Sequence, residues 1–130
     1  LGILQRGTGV ICKVLKDTTS KFLNAPILRA VSKHAKAVYS DEWSGYKTIH
    51  KVFNHYVVDH GRKIYAVGDI HTNTIEAFWS NYCKRALMGT YSKVAKKHLQ
   101  LYFDEFSFRY NNRRYNGVNR FEVAMCQCLV

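Results

Sequence analysis

The sequence is short of proline, of acidic residues and of long apolar runs, and each shortage excludes a class of protein. One proline and 47% hydrophobic residues among 130 exclude a disordered or proline-rich chain and predict one packed domain. No apolar run approaches the roughly 18 residues of a membrane span. The first residues also lack the basic and then apolar pattern of a secretory leader. We therefore expect a soluble, cytoplasmic protein with no membrane partner.

The spacing of cysteine and histidine predicts no zinc site. No C-x-x-C pair occurs, and we expect reduced thiols at Cys12, Cys83, Cys126 and Cys128. Three histidines recur at intervals of five, a spacing that drifts off one face of a helix and alternates between the faces of a strand. We therefore expect no shared metal among His50, His55 and His60.

The shortage of acidic residues leaves a basic chain, with 20 Lys and Arg against 9 Asp and Glu and a net charge of +11. This excess predicts a polyanionic partner, because cationic side chains that neutralise phosphates release counterions from nucleic acid. Such contacts position a protein on DNA without reading its bases. The candidate DNA contacts are Lys84, Arg85, Lys93, Lys96, Lys97, Arg113 and Arg114. The alternative interpretation is a solvated helix surface.

Turn residues and apolar spacing predict the strands. Residues 1–16 predict two strands joined around the turn Arg6-Gly7-Thr8-Gly9, because β-branched and apolar residues flank a glycine-rich turn. Residues 35–40 predict a short buried strand that ends at Asp41, and residues 55–67 predict one or two short extended pieces around Gly61.

Helical spacing and cap residues predict the remaining elements. Helices are expected around residues 26–31, with Pro26 in the first turn, and over residues 42–52. Two longer helices are expected over residues 73–88, closed by Gly89, and over residues 93–112, capped by Ser92. The tail from Gly117 gives no prediction. The pattern indicates an α/β domain with a small mixed sheet flanked by helices.

Oxygen-bearing side chains fall at two element ends. Asp41 directly follows a predicted strand, so its carboxylate would project from the edge of the sheet where α/β folds place ligands. Asn73 and Glu76 have the spacing of a capping box, in which Glu76 reaches back to the cap amide. The same oxygen donors suit Mg²⁺, and on an ideal helix Ser80 and Lys84 share their stripe. The spacing leaves the cap and the metal site both open.

Five motifs occur in order along the chain: SDEWSGY at 40–46, VDH at 58–60, HTNTIEAFWS at 71–80, GTY at 89–91 and YFDEFSFRYN at 102–111. Together they resemble the catalytic domain of DDE-type insertion-sequence transposases, in the group whose triad ends in Asn and which is related to Merlin elements. The likeness runs from Leu1 to Arg114, and HTNTIE-x-FW is its most specific part.

The resemblance implies a ribonuclease-H-like fold and a metal-dependent enzyme that cleaves and joins DNA at the ends of its element. It makes Asp41 the second acidic residue of the triad and Asn73 the third member. Glu76 takes the adjoining acidic position of the same motif. The resemblance implies that all three are catalytic residues and metal ligands.

The resemblance also implies cofactors, partners and further site residues. The cofactor would be Mg²⁺, with Mn²⁺ as a substitute. The partners would be double-stranded DNA at the element ends and the target, and further copies of the protein in a homodimer or higher oligomer. Lys84 would contact phosphate near the metals, while His60 and His71 match family positions with a structural or DNA-proximal role.

One expected residue of this family is not in the sequence. The family's first Asp lies on the first strand of the fold, upstream of the segment that LGILQRGTGV resembles, and residues 1–130 do not contain it. We therefore expect residues 1–114 to be a partial, N-terminally truncated catalytic domain and residues 115–130 to be a C-terminal tail. Because a missing carboxylate weakens the binding of two metals, we expect no DNA cleavage by this chain alone.

Two other functions stay open at this point. A nuclease or resolvase of the same fold would share Asp41 and Glu76. An inactivated or domesticated remnant would keep the basic surface as a DNA-binding module and tolerate the loss of the first Asp. A transposase would be nucleoid-associated in a bacterium and nuclear in a eukaryote.

Overall fold

The computed structural model describes residues 1–58, 66–67, 70–91 and 93–128, with the backbone alone at 66–67 and 70–71. Within them lie six strands: β1 Gly2–Gln5, β2 Gly9–Cys12, β3 Val38–Ser40, β4 His55–Val57, β5 Ala66–Val67 and β6 Ile70–His71. The α-helices are α1 Ser20–Ala30, α2 Asn73–Phe78, α3 Arg85–Met88, α4 Leu99–Asn111 and α5 Gly117–Cys128. This mixture confirms the α/β class.

The first two strands form the predicted hairpin. β1 and β2 pair antiparallel, with Gly2 opposite Cys12 and Gln5 opposite Gly9. The turn needs a positive φ, and Gly7 supplies it at +77°, a conformation that residues with a side chain rarely adopt. The glycine-rich turn was therefore a reliable signal.

Helix α1 begins earlier than the sequence predicted. Leu23 and Ile27 are buried four residues apart on one face, so the apolar stripe extends upstream of Pro26. Pro26 lies in the helix interior, where it lacks the backbone N–H that would bond the carbonyl of Phe22. The prediction of Pro26 in the first turn was wrong, because burial of this stripe outweighs the cost of the proline.

The buried strand predicted before Asp41 is confirmed as β3. It pairs in parallel with β4, with Val38 opposite His55 and Ser40 opposite Val57. Between β3 and β4 the chain makes two 3-10 turns, Ser44–Tyr46 and Ile49–Lys51, where the sequence predicted one short helix.

The first of these turns passes close to the segment that precedes α1. A Cβ atom added at Gly45 would lie 2.7 Å from the carbonyl oxygen of Thr18. The backbone can take this path only because glycine has no side chain. The predicted continuous helix over residues 42–52 was therefore wrong.

The predicted helix over residues 73–88 is confirmed, but it is not α-helical throughout. A π-helical segment, Trp79–Lys84, joins α2 to α3. Each π-helical turn contains more residues than an α-helical turn, so the side chains beyond it are rotated from their ideal α-helical directions. The helix ends at Gly89 as predicted, with a φ of −106° rather than a left-handed conformation.

Helix α4 begins at Leu99, later than the predicted start at residue 93. Residues 93–97 are exposed or half-exposed and carry three lysines, so they offer no apolar stripe to pack against the domain. Only a 3-10 turn, Lys96–His98, precedes α4. Ser92, the predicted cap, lies outside the described residues. Beyond α4, the tail that gave no prediction forms α5.

Two apolar clusters pack on opposite sides of the β1–β2 hairpin. Leu4 packs towards one cluster and its neighbour Ile3 towards the other, as alternating side chains of a strand do. The α4 cluster is built on Val10, Cys12, Phe78, Cys83, Phe106 and Tyr110. The α1 cluster is built on Leu23, Ile27, Ile49 and Phe53.

The strands form three separate two-stranded sheets in the part of the chain that the structure describes: β1–β2, β3–β4 and β5–β6. The sequence predicted one small mixed sheet. β1 and β3 are not paired, and a cleft lies between them. None of the helices within the described residues is long and apolar enough to cross a membrane.

Candidate functional site

A cleft of about 1080 Å³ lies between β1 and β3 and is bordered by α1 and α2. It contains two of the three predicted site residues. Side chains of both strands and both helices line it, among them Leu4, Arg6, Ile27, Tyr39, Asp41 and Glu76. The strand end that carries Asp41 and the helix start that carries Glu76 therefore border the same cleft.

Asp41 stands directly after β3, at the predicted position. Its Oδ1 accepts a hydrogen bond from the backbone N–H of Trp43 at 3.2 Å, and its carbonyl oxygen accepts one from the hydroxyl of Ser40 at 2.8 Å. These bonds hold the turn that carries Asp41, while the residue itself stays exposed. The carboxylate is therefore oriented and still accessible to a ligand.

A polar pair that the sequence analysis missed lies behind Asp41. Ser40, which is 8% exposed, is 2.8 Å from Nε2 of His55. Because the Ser40 hydroxyl proton goes to the Asp41 carbonyl, Nε2 of His55 is the donor. Burial, with a smaller effect of His50, lowers the pKa of His55 and keeps its ring neutral. Only the parallel pairing of β3 with β4 reveals this contact, so no local motif signals it.

Glu76 lies in the first turn of α2, and its carboxylate is held there. The hydroxyl of Thr72 donates to Oε1 of Glu76 at 2.5 Å, and the N–H of Glu76 bonds the carbonyl of Thr72 at 3.1 Å. Thr72 is thus the N-cap, and Asn73 is the first helical residue. The predicted capping box with Asn73 as the N-cap was wrong, because Thr72 is the N-cap and Asn73 lies inside the helix.

Asn73 does not share the site of the two carboxylates. Asn73 is exposed. Asp41, Thr72 and Glu76 line the cleft, and Asn73 does not. Of the three proposed ligands, Asp41 and Glu76 line the cleft.

The donor set fits a divalent metal in kind but not in number. The carboxylates of Asp41 and Glu76 are the hard oxygen ligands that Mg²⁺ prefers. Among the described residues, however, no group of three His, Cys, Asp or Glu could hold a metal ion. Asp41 and Glu76 could therefore supply two of the oxygen ligands of such an ion.

The stripe predicted for Lys84 with Asn73, Glu76 and Ser80 does not follow ideal α-helical geometry. The stripe assumed a regular α-helix, but the π-helical segment Trp79–Lys84 intervenes and rotates the following side chains. Lys84 is exposed and does not line the cleft. Its proposed contact with phosphate next to the metals stays a prediction.

The candidate DNA contacts are spread over several elements. Arg113 is half-buried. The other six are exposed: Lys84, Arg85, Lys93, Lys96, Lys97 and Arg114. The guanidinium of Arg113 lies 4.0 Å from the centre of the Tyr110 ring and donates to the Tyr110 carbonyl at 2.8 Å. Arg113 is thus partly occupied by its own domain, and the other six are accessible to solvent.

The histidines have separate environments. His50 bonds a backbone carbonyl through Nδ1, and His55 bonds Ser40. His60 and the side chain of His71 lie outside the described residues, so their roles stay predictions.

All four cysteines are free, as the sequence predicted. Cys12 and Cys83 are buried in the α4 cluster, and Cys126 and Cys128 are exposed on α5. Burial, with a smaller effect of Cys12, raises the pKa of Cys83 to about 12. The buried thiols therefore behave as apolar core groups rather than as nucleophiles.

Comparison with known families identifies the chain. A family model of the ISXO2-like transposase domain matches residues 1–111, which include β1 through α4 and both carboxylates of the cleft. Comparison with curated proteins and with solved structures found no match. The match covers most of the 130 residues and agrees with the transposase motifs in the sequence. The chain therefore belongs to the ISXO2-like transposase domain family.

Proposed function

We propose that this chain is the catalytic part of an insertion-sequence transposase, which cuts DNA at the ends of its element and joins it to a target. The family match over residues 1–111 carries this proposal. The convergence of Asp41 and Glu76 on one cleft supports it, because such enzymes act by metal-dependent phosphoryl transfer. The ribonuclease-H-like fold and the extent of the catalytic part, residues 1–114, belong to the same proposal.

The proposed roles of the cleft residues follow from their bonds. Asp41 and Glu76 would hold a divalent cation, Mg²⁺ or Mn²⁺, which when bound would stabilise the charge that develops on the scissile phosphate. The N–H of Trp43 orients Asp41, and the hydroxyl of Thr72 orients Glu76. Asn73 would join them only if DNA or a metal drew its exposed side chain towards the cleft.

The site has no third carboxylate among the described residues. Because the family's first Asp is not among residues 1–130, and the described residues of the cleft supply two carboxylates, Asp41 and Glu76, we propose that this chain binds DNA but does not cleave it. Cleavage would require a third acidic ligand. The same consideration keeps a second function open, in which the chain is an inactivated DNA-binding remnant of a transposase.

The proposed DNA contacts rest on charge. The chain carries a net charge of +11, and six of the seven candidate residues are exposed. Each phosphate contact should steepen the salt dependence of binding by about 0.9 in the log–log slope. These contacts should tolerate any sequence, so end recognition would need other residues. A protein that acts on two element ends and a target would work as a homodimer or larger assembly, in the nucleoid or nucleus.

Duplex binding by the 130-residue chain over a series of salt concentrations tests the DNA partner. The double variant Lys96→Ala/Lys97→Ala should lower the salt slope by about 1 to 2. The matched control Lys21→Ala/Lys33→Ala removes the same charge from exposed positions elsewhere and should change the slope less. Equal effects of the two pairs would indicate a diffuse charge effect and remove these lysines from the interface.

Nicking of supercoiled DNA by the same chain tests the incomplete site. With Mg²⁺ or Mn²⁺ we expect binding without metal-dependent nicking. Nicking that disappears in Asp41→Asn would overturn the proposal that a carboxylate is missing. A nuclease or resolvase would show itself by cutting without preference for element ends.

A further inference from the structure

A buried hydroxyl group lies at the end of β3, directly before Asp41. Ser40 follows Val38 by two residues, so the alternation of side chains along a strand puts both on the face that packs on the α1 cluster. Ser40 is only 8% exposed. A hydroxyl buried in this way costs free energy unless it has hydrogen-bond partners. The identity of those partners therefore decides what Ser40 does.

One partner of Ser40 lies next to it in the chain and the other lies on the neighbouring strand. The hydroxyl proton of Ser40 goes to the carbonyl oxygen of Asp41 at 2.8 Å. Nε2 of His55, on β4, lies 2.8 Å from the hydroxyl oxygen and donates to it. A continuous chain of hydrogen bonds thus runs from His55 through Ser40 to the main chain of Asp41.

Asp41 is oriented by hydrogen bonds rather than by packing. It is exposed, and its Oδ1 accepts from the N–H of Trp43 at 3.2 Å. A bond of this kind, from the side chain of an Asp to the backbone two residues later, closes a small ring. The carbonyl that accepts from Ser40 belongs to a peptide group inside this ring. A change in the direction of the Ser40 hydroxyl would therefore alter the direction of the carboxylate.

The ring of His55 is not needed to hold β3 and β4 together. Val38 donates to the carbonyl of Asn54, and the carbonyl of Ser40 accepts from the N–H of Val58, both at 2.8 Å. These backbone bonds fix the register in which His55 stands opposite Val38. Replacement of the His55 side chain should therefore leave the two strands paired.

We propose that His55 is a positioning residue of the candidate metal site: it holds the Ser40 hydroxyl on the Asp41 carbonyl and so fixes the direction in which the Asp41 carboxylate faces the cleft. This inference rests on the proposed role of Asp41 as a metal ligand. The groups that orient a ligand from behind typically change metal affinity by about 10- to 100-fold when they are removed. Because His55 acts through Ser40, we expect the lower end of this range.

A Mn²⁺ titration of the isotope-labelled 130-residue chain, followed by nuclear magnetic resonance, tests this role without DNA cleavage. A paramagnetic ion broadens the amide signals of the residues around it, so the Mn²⁺ concentration that halves the signals of Asp41 and Trp43 measures affinity at this site. His55→Leu removes the donor and should raise that concentration by about tenfold. The signals around Asp17, an exposed carboxylate outside the cleft, should broaden as before.

The matched control is His55→Gln. The side-chain amide of Gln can take the position of Nε2 and donate to Ser40, so this variant should keep the affinity of the unchanged chain. Both variants remove an imidazole that could itself bind Mn²⁺. A difference between them therefore reports the hydrogen bond to Ser40 alone.

A double variant tests whether His55 acts through Ser40. Ser40→Ala should weaken Mn²⁺ binding as His55→Leu does, and the combination of the two should bind no more weakly than Ser40→Ala alone. The N–H of Val58 bonds the Ser40 carbonyl, and its protection from hydrogen exchange should persist in all these variants. Persistent protection shows that β3 and β4 are still paired.

Four results would overturn the inference, and one of them also removes the metal role of Asp41. Equal affinity of His55→Leu and the unchanged chain would mean that His55 does not orient the carboxylate. Equal losses in His55→Leu and His55→Gln, or additive losses in the double variant, would mean that His55 acts by another route. Loss of Val58 protection in every variant would mean that the pair only holds the strands together. No broadening at Asp41 in the unchanged chain would instead refute the metal role itself, before any variant is made.

Discussion

Asn111 should contribute more to stability than its exposed position suggests. Its amide makes two hydrogen bonds to Val10, a residue that is only 1% exposed beneath α4. Replacement by Ala removes both bonds and leaves a buried N–H and a buried C=O without protein partners. An unsatisfied buried group of this kind costs about 1 to 3 kcal/mol.

The expected loss follows from how far water can replace the amide. Asn111 itself is exposed, so water entering the vacated space can satisfy one of the two groups. We therefore expect Asn111→Ala to lower the free energy of unfolding by about 2 kcal/mol. Against a typical total of about 5 to 15 kcal/mol, this is a large single effect.

Urea unfolding followed by circular dichroism measures this loss. The matched control is Asn112→Ala, because the neighbouring amide makes a single bond, to the Phe108 carbonyl at 2.9 Å, near the end of α4. Its loss should cost about 1 kcal/mol or less. The reasoning would be refuted if Asn111→Ala destabilised the protein no more than Asn112→Ala.

Three further outcomes follow from the same structure. At pH 8 a thiol reagent should modify Cys126 quickly and Cys83 only after unfolding, as mass spectrometry would show, because the pKa of Cys83 is raised to about 12; rapid labelling of Cys83 would contradict this. Because burial lowers the pKa of His55 from 6.5, the unfolded chain takes up its proton first and stability should fall as the pH drops below 6.5. His55→Gln should flatten that part of a urea-midpoint profile, and an unchanged slope would count against it. Pro26→Ala should raise the free energy of unfolding by about 2 kcal/mol, because it restores the N–H that bonds the Phe22 carbonyl. Part of this gain is offset, because the unfolded chain without proline has more conformational entropy. A loss of stability would show that the helix needs its proline.

Features of the fold that depend on neighbouring residues were predictable from the sequence. The β1–β2 hairpin was predicted because its turn requires a positive φ, which Gly7 supplies. Phe106 and Tyr110 lie four residues apart on α4 and are both buried, as helical spacing favours for residues of one face. The placement of Asp41 after a strand and of Glu76 at a helix start was also predicted, and the structure brings both to one cleft.

Features that depend on distant contacts were not predictable in the same way. Pro26 sits inside α1 because Leu23 and Ile27 pack on a core that local sequence does not reveal. The π-helical segment Trp79–Lys84 contains no glycine or proline that would signal a departure from the α-helix. The closure of the β2 edge by Asn111 joins residues 101 positions apart, and no local pattern signals such a contact.

The central claim is that Asp41 belongs to the catalytic site of a transposase. The direct test uses the product of the natural reading frame that contains residues 1–130, purified with Mg²⁺ and DNA that carries the ends of its element. We predict cleavage at those ends by the natural protein and by the control Asp17→Asn, whose carboxylate lies outside the cleft. Asp41→Asn should bind the same DNA and cleave none. Cleavage by Asp41→Asn at the rate of the natural protein would contradict the assignment of this residue and of the cleft.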